Sequence, residues 1–132
     1  MSDDVEMYPR LVVRDADAAL AFYTRAFGAE VTERYVAPGG SVVHAMLRVG
    51  GVGFAVKEAD AVDPAPTDGS VPVIMAWYVP DADAAAARMV DAGAEALVPV
   101  TDHEYGDRAG RLRDPFGHLW MVAQRIGDRP GT

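Results

Sequence analysis

The sequence contains the phrase DADAA twice, and this repetition constrains the fold more than any other feature. The first copy lies at 15–19 and the second at 81–85, in a chain of 132 residues. The phrase GAE recurs in the same way, at 28–30 and at 93–95. Matches at both ends of one element, separated by half the chain length, indicate a structural unit that is used twice.

Each copy predicts a strand followed by a capped helix. In the first copy, the apolar stretch 7–13 predicts a strand. The Asp15 carboxylate is placed to cap the next helix, and Gly28 to end it in the left-handed region. Between them an apolar stripe follows the helical spacing i, i+3, i+7 at Leu20, Tyr23 and Phe27.

The second copy repeats this pattern with a strand over 71–79, a cap at Asp81 and a helix end at Gly93. Three further strand-like stretches follow each helix, separated by turns rich in Gly and Pro. Each half therefore reads βαβββ, and we expect one α+β domain. Its predicted parts are module one at about 5–58, a Pro- and Asp-rich linker at 59–70, module two at 71–125 and a tail at 126–132.

Composition excludes several classes of function. The chain has no cysteine, which removes disulfides, thiolate nucleophiles and thiolate metal sites. A net charge of −8 makes nucleic acid an unsuitable partner. No apolar run is long enough to span a membrane, and the acidic start lacks the features of a signal peptide. We therefore expect a cytoplasmic protein that binds neither nucleic acid nor membranes.

Three phrases resemble one known family: FYTRAFGAE at the end of the first helix, HAMLRVGG on the third strand, and YGDRAGRLRDPFGHLWMVA in the last hairpin. Together they resemble the vicinal oxygen chelate superfamily, the glyoxalase/bleomycin-resistance fold, in its PhnB-like branch, over roughly residues 7–124. The resemblance implies two modules that form a curved eight-stranded mixed sheet around a cup. It also implies that a homodimer completes the cup.

The family's metal enzymes carry one ligand on the first and one on the last strand of each module. By motif spacing these positions fall on Tyr8, Phe54 or a neighbour, Ile74 and Met121. A divalent ion prefers carboxylate, imidazole or thiolate donors, which these side chains do not supply. We therefore expect no metal and no other cofactor, with a metal site at mislocated ligands as the alternative.

Strand alternation predicts which side chains line the cup and which face the helices. The predicted ligand-binding set is Tyr8, Arg10, His44, Met46, Arg48, Phe54, Tyr78, Tyr105, Arg111, Arg113 and Met121, with Val12, Ile74 and Ala76 on the same face. The predicted helix-facing set is Pro9, Leu11, Val13, Val43, Ala45, Leu47, Val49, Trp77 and Trp120.

The predicted cup combines aromatic and methionine surface with arginines in an acidic protein. This combination favours an anionic, partly apolar small molecule, because guanidinium groups bind carboxylate or phosphate oxygens and stack on planar rings. The competing interpretation is that these arginines form ion pairs within the sheets, with Glu33, Glu104 or Asp114.

No set of residues forms a recognisable catalytic constellation, and His44 is the single weak candidate for a general base. Three functions remain open. The first is a metal-independent binding protein for small molecules, either antibiotics or other planar anions. The second is a lyase, isomerase or dioxygenase of the same superfamily, using a metal or acid–base chemistry through His44, Tyr8 or Glu104. The third is a domain whose cup is filled by its own side chains.

Overall fold

The computed structural model describes residues 6–67, 73–104 and 106–127. Module one contains, in chain order, β1 (Arg10–Val13), α1 (Ala16–Phe27), β2 (Glu30–Val36), β3 (Val42–Val49) and β4 (Val52–Glu58). Module two contains β5 (Ile74–Tyr78), α2 (Ala82–Asp91), β6 (Glu95–Asp102), β7 (Asp107–Arg113) and β8 (Leu119–Arg125). The predicted α+β fold with two tandem βαβββ modules is confirmed.

The eight strands form two mixed sheets of four. Their orders are β1-β4-β3-β2 and β5-β8-β7-β6. In each sheet the first strand pairs in parallel with the last strand of its module, and the other neighbours pair antiparallel. Among the described residues the hydrogen bonds do not join the two sheets into one continuous sheet of eight.

The two helices begin in the same way, as the repeat predicts. The Asp15 carboxylate accepts a hydrogen bond from the Ala18 N–H at 3.0 Å, and the Asp81 carboxylate accepts one from the Ala84 N–H at 3.0 Å. These bonds satisfy N–H groups that the first turn of a helix leaves without partners.

The helix ends differ. Gly28 caps α1 in the left-handed region with φ of 70°. In contrast to the prediction for Gly93, α2 is capped by Ala92 in the right-handed region, and Gly93 follows with φ of 120°. The residue with positive φ thus comes two residues after the end of α2, compared with one residue after the end of α1.

A second cap comes from the last strand of each module. Glu58 Oε2 accepts a hydrogen bond from the Ala16 N–H at 2.8 Å, and Gln124 Oε1 accepts one from the Ala82 N–H at 3.0 Å. Gln124 follows Glu58 at the same distance in the chain as Asp81 follows Asp15. The spacing of the DADAA repeat therefore extends to the end of each module.

The two modules share one core. The Phe27 ring on α1 stacks on Trp77 of β5 with centroids 4.2 Å apart, and Tyr23 contacts both Phe54 of β4 and Trp120 of β8. Helices α1 and α2 also contact each other. The helix-facing sides of both sheets therefore pack on a common interior, and we call the opposite side of each sheet its open face.

Strand register corrects the predicted orientation of Phe54. Phe54 pairs with the fully buried Leu47 and belongs to the core, because directly paired residues point to the same face of a sheet. The open-face position on β4 is its neighbour Ala55, which pairs with Arg10 and Met46. Phe54 is therefore not a residue of the cup.

Val43, which strand alternation predicts to face the helices, is instead exposed. A shift in the pairing of β2 with β3 between Tyr35 and Val36 places Val42, rather than Val43, in the core. The predicted helix-facing residues Ala45 and Leu47 of the same strand are fully buried.

No helix in the described part of the chain combines the length and the apolar character that are needed to cross a lipid bilayer.

Candidate functional site

The open face of module one holds one group of the predicted cup residues. Tyr8, Met46 and Arg48 line a cavity of about 410 Å³ together with Glu6, Met7 and the start of β4 at 51–53. Alternation brings them together because β1, β4 and β3 are neighbours in the sheet. Three residues from the predicted cup thus share one concavity.

Arg48 is the cation of this cavity. Its guanidinium lies over Gly53, where an added Cβ would be 3.7 Å from the Arg48 Cζ and 3.1 Å from the Leu47 carbonyl oxygen. Within the described ranges the Arg48 side chain has no hydrogen bond or ion pair. Its charge is therefore available to an anion from outside the chain.

The open face of module two carries a second, smaller group. Arg111 and Met121 line a cavity of about 190 Å³ with Val98, His103 and the 109–110 segment of β7. Arg111 also lacks a side-chain partner in the part of the chain that the structure describes. The predicted cup residues of the two modules therefore lie in separate cavities of the single chain.

Two further arginines are engaged with backbone carbonyl groups. Arg10 donates to the Val43 carbonyl oxygen at 2.7 Å, and Arg113 donates to the Gly117 carbonyl oxygen at 3.3 Å. Arg113 lines a different cavity, of about 450 Å³, beside Arg14. The predicted cations are thus spread over the molecule instead of converging.

The ion pairs that would have explained these arginines structurally do not occur among the described residues. Glu33 lies beside His44, with Oε2 and Nε2 3.3 Å apart. The buried Asp114 accepts hydrogen bonds from the Tyr23 hydroxyl and the Trp120 indole N–H at 2.5 and 2.8 Å. Arg10, Arg48, Arg111 and Arg113 have no acidic partner in the described ranges.

His44 sits apart from the module-one cavity. Its ring lies 5.8 Å from the ring of Tyr35, its cross-strand partner, and beside the Glu33 carboxylate. It is not among the residues that line the cavity with Tyr8 and Arg48. The structure therefore does not bring the weak candidate base together with the candidate ligand-binding groups.

The remaining predicted residues lie near β5. The Tyr78 hydroxyl donates to the Asp107 carboxylate at 2.7 Å, and the Arg125 guanidinium lies 4.6 Å from the centre of the Tyr78 ring. Ile74 and Ala76 are exposed. Tyr105, predicted to close over a ligand, lies outside the described residues.

The resemblance assigns the family's metal-ligand positions to Tyr8, Phe54 or a neighbour, Ile74 and Met121, and the open-face residue at the second position is Ala55. Alanine and isoleucine have no donor atom, and a thioether is a soft ligand that hard divalent ions avoid. Among residues 6–67, 73–104 and 106–127, no group of three or more His, Cys, Asp or Glu is arranged to hold a metal ion. The donor set does not fit the divalent ion of the family's enzymes.

Sequence reasoning missed the glycine-rich turn between β3 and β4 as part of the site. Gly51 and Gly53 line the module-one cavity, and Gly53 leaves the space over which Arg48 lies. The signal was present, because a glycine inside a strand often marks a close approach of another group.

Comparison with known proteins agrees with this architecture. The model of the Glyoxalase/Bleomycin resistance protein/Dioxygenase superfamily matches residues 7–122. The protein Mb0911c of Mycobacterium bovis is 39% identical over 126 residues, which cover 89% of this chain and 82% of that protein.

Two solved structures have the same fold. TioX from Micromonospora sp. ML1 matches with a TM-score of 0.74 and 28% identity over 93% of this chain and 100% of its own. The product of the Arabidopsis thaliana gene AT5G48480 matches with a TM-score of 0.74 and 30% identity, over 91% and 98% of the two chains. The chain belongs to the glyoxalase/bleomycin resistance protein/dioxygenase superfamily.

Proposed function

We propose that this protein is a metal-independent binding protein for small anionic molecules with an apolar, planar part. The observation that carries the proposal is the position of Arg48. Its guanidinium has no partner among the described residues and lies in a cavity with the Tyr8 ring and the Met46 thioether. A guanidinium next to aromatic and methionine surface matches a ligand that has an anionic end and an apolar body.

The size and charge of the cavity support this choice. About 410 Å³ lies within the range of small-molecule sites, and Met46 is buried at its base, with 6% of its surface exposed. Glu6 is the one carboxylate among the lining residues, and it favours a ligand whose anionic group binds Arg48 and keeps away from Glu6. The Arg48 guanidinium, which has no partner among the described residues, supplies a local positive charge that attracts an anion, although the net charge of −8 repels anions at longer range.

We propose that a second copy of the chain completes the site. The outer strand β2 is exposed at every residue, and β6 is exposed except at Val100. Both carry apolar side chains in that exposed surface, among them Val31, Tyr35 and Leu97. Exposed apolar surface of this kind indicates an interface, and pairing two open faces would enclose cavities that the single chain leaves open.

Metal independence rests on the donor set at Tyr8, Ala55, Ile74 and Met121. The proposal leaves out a hydrolytic or lyase reaction because His44 lies beside Glu33 and is not one of the residues that line the cavity with Arg48. The DPFGH phrase at 114–118 also supports membership of the PhnB-like branch, which we propose as part of this assignment.

The test has two arms. Protein purified without chelators is analysed for metals, and we expect less than a tenth of an equivalent of zinc, nickel, manganese or iron. A thermal-shift screen with aromatic carboxylates and phenylphosphonate then looks for ligands, which stabilise the native state by an amount that grows with the ratio of ligand concentration to Kd. Stoichiometric metal that is needed for stability, or no shift with any aromatic anion, would overturn the proposal.

A further inference from the structure

Beyond the shared core, the repeat relates two places where a hairpin turn of one module faces the strand–helix junction of the other, and side chains fill the first of these. Its filling comes from the turn 114–118 between β7 and β8. Arg14 donates to the Pro115 carbonyl oxygen at 3.0 Å, and the His118 Nε2 lies 2.9 Å from the Val12 carbonyl oxygen. These contacts hold the turn against the end of β1.

The same turn also inserts an aromatic ring and a carboxylate against α1. The Phe116 ring lies 6.1 Å from the ring of Phe22, and Asp114 accepts the hydrogen bond of the Tyr23 hydroxyl. Phe116 and Asp114 are both buried. An aromatic–carboxylate pair thus occupies the space between the modules on this side.

The related contact on the other side lacks all of these groups. The turn 49–52 between β3 and β4 is one residue shorter than 114–118, and Gly50 and Gly51 have no side chain to insert. Along α2, the spacing that relates Asp15 to Asp81 places Arg88 at the position of Phe22 and Met89 at the position of Tyr23. The second contact is therefore open.

The open contact is a groove of about 770 Å³ between the turn 49–52 and the junction of β5 with α2. Its walls are mainly apolar, and Val49, Val52, Trp77 and Val79 contribute to them. The size is that of a typical small-molecule site.

Two charged side chains line this groove. The Asp81 carboxylate accepts the Ala84 N–H at 3.0 Å and is held at the start of α2 as its cap. The Arg88 guanidinium is exposed and has no hydrogen bond or ion pair within the described part of the chain. The groove therefore offers apolar walls and one available cation.

We propose that this groove is a second binding site, for a planar aromatic carboxylate whose carboxylate binds Arg88. A guanidinium binds a carboxylate through two parallel hydrogen bonds, and the apolar walls take the ring. The ligand would combine an aromatic ring with a carboxylate. The side chains of Phe116 and Asp114 supply the same two groups in the related contact. The site goes beyond the proposed function, because Arg48 does not line the groove, although the two cavities share Gly51 and Val52 at their common rim.

The test is a titration of the intact protein with 2-naphthoate, followed by amide ¹H–¹⁵N spectra. We expect the largest shifts at 49–52 and 76–81, and at least tenfold weaker binding at these residues in Arg88→Met. The control Arg25→Met, which removes an exposed charge from α1, should stay within twofold of the parent protein. Largest shifts elsewhere, or an Arg88→Met variant within twofold of the parent, would overturn the proposal.

A second variant fills the groove directly. A Cβ added at Gly51 meets no atom within 4 Å, so Gly51→Phe supplies the missing ring without a backbone clash. It should abolish the 2-naphthoate shifts at 76–81, whereas Gly39→Phe, in another open turn, should leave them unchanged. Unchanged binding in Gly51→Phe would contradict the assignment.

Loss of 2-naphthoate binding in Arg48→Met but not in Arg88→Met would refute this second site. The proposed site in the module-one cavity would then still stand.

Discussion

The Tyr23 hydroxyl donates a hydrogen bond of 2.5 Å to the Asp114 carboxylate, and the two residues are 91 positions apart in the chain. The bond joins helix α1 of module one to the β7–β8 turn of module two, in the shared core. Burial raises the pKa of Tyr23 well above its usual value of 10.0, and the charge of Asp114 raises it further. This hydrogen bond thus joins elements of the two modules inside their shared core.

Tyr23→Phe should lower the free energy of unfolding by about 1–3 kcal/mol at neutral pH, because it leaves a buried carboxylate with one donor fewer. The expected pH dependence is equally specific. Above pH 10 the unfolded chain ionises Tyr23 while the native state keeps the proton, so the stability of the parent protein falls as the pH rises.

Urea unfolding at pH 7, 9 and 10.5 measures both effects. Tyr23→Phe should lose less stability between pH 9 and 10.5 than the parent, and the exposed Tyr35→Phe should behave like the parent. An alkaline loss of the same size in Tyr23→Phe and in the parent would contradict the role assigned to this residue.

Gly110→Ala should destabilise the protein by about 1–3 kcal/mol, the usual range for overpacking. A Cβ at Gly110 would lie 2.8 Å from the Val98 carbonyl oxygen and 2.9 Å from the Val100 amide nitrogen, so β6 would have to move. Gly39→Ala, where nothing lies within 4 Å, is the matched control. Equal melting temperatures for the two variants would show that β6 does not approach β7 as closely as described.

Phe54→Ala tests the corrected strand register. Phe54 contacts Tyr23 and Trp120 in the core, so its truncation should cost about 3–5 kcal/mol. Because Phe54 does not line the module-one cavity, ligand affinity of the folded fraction should not change. A variant of nearly parental stability with weakened ligand binding would return Phe54 to the cup.

The elements of the fold can be predicted from the sequence because the signals for them are local. Asp15 and Asp81 cap helices through bonds to residues three positions away, and a repeat carries such signals over from one module to the other. The orientation of Phe54 is also accessible, since the repeat relates Phe54 to Trp120, which alternation correctly places in the core. Motif spacing fixes the fourth-strand position only to Phe54 or a neighbour, and a shift of one residue reverses the face.

The irregularity at Val43 and the division of the cup could not be obtained in this way. The shift in the pairing of β2 with β3 changes which side chains of β3 face the core. No residue pattern in the local sequence indicates this shift. Tyr8, Met46 and Arg48 meet because β3 and the segment that leads into β1 both lie beside β4, whereas Arg111 and Met121 lie on the other sheet. Their separation depends on how the two modules pack, which strand alternation does not report.

The proposed dimer predicts that charge on the exposed strands separates the subunits. The parent protein should sediment with twice the chain mass of 14.1 kDa, and the double variant Val31→Glu, Leu97→Glu should sediment as a monomer. Val62→Glu, in the exposed loop after β4, adds a charge away from both sheets and should remain dimeric. A parent protein that is monomeric at every concentration up to 100 µM would contradict the proposed completion of the cup.

The most direct test of metal-independent binding at Arg48 is isothermal titration calorimetry with phenylphosphonate. The parent protein, the parent treated with EDTA and dialysed, and Arg48→Met are compared under the same conditions. We expect equal affinity for the first two and at least tenfold weaker binding for Arg48→Met, equivalent to about 1.4 kcal/mol or more. Binding that disappears after EDTA treatment and returns with a divalent metal, or that is unchanged in Arg48→Met, would contradict the central claim.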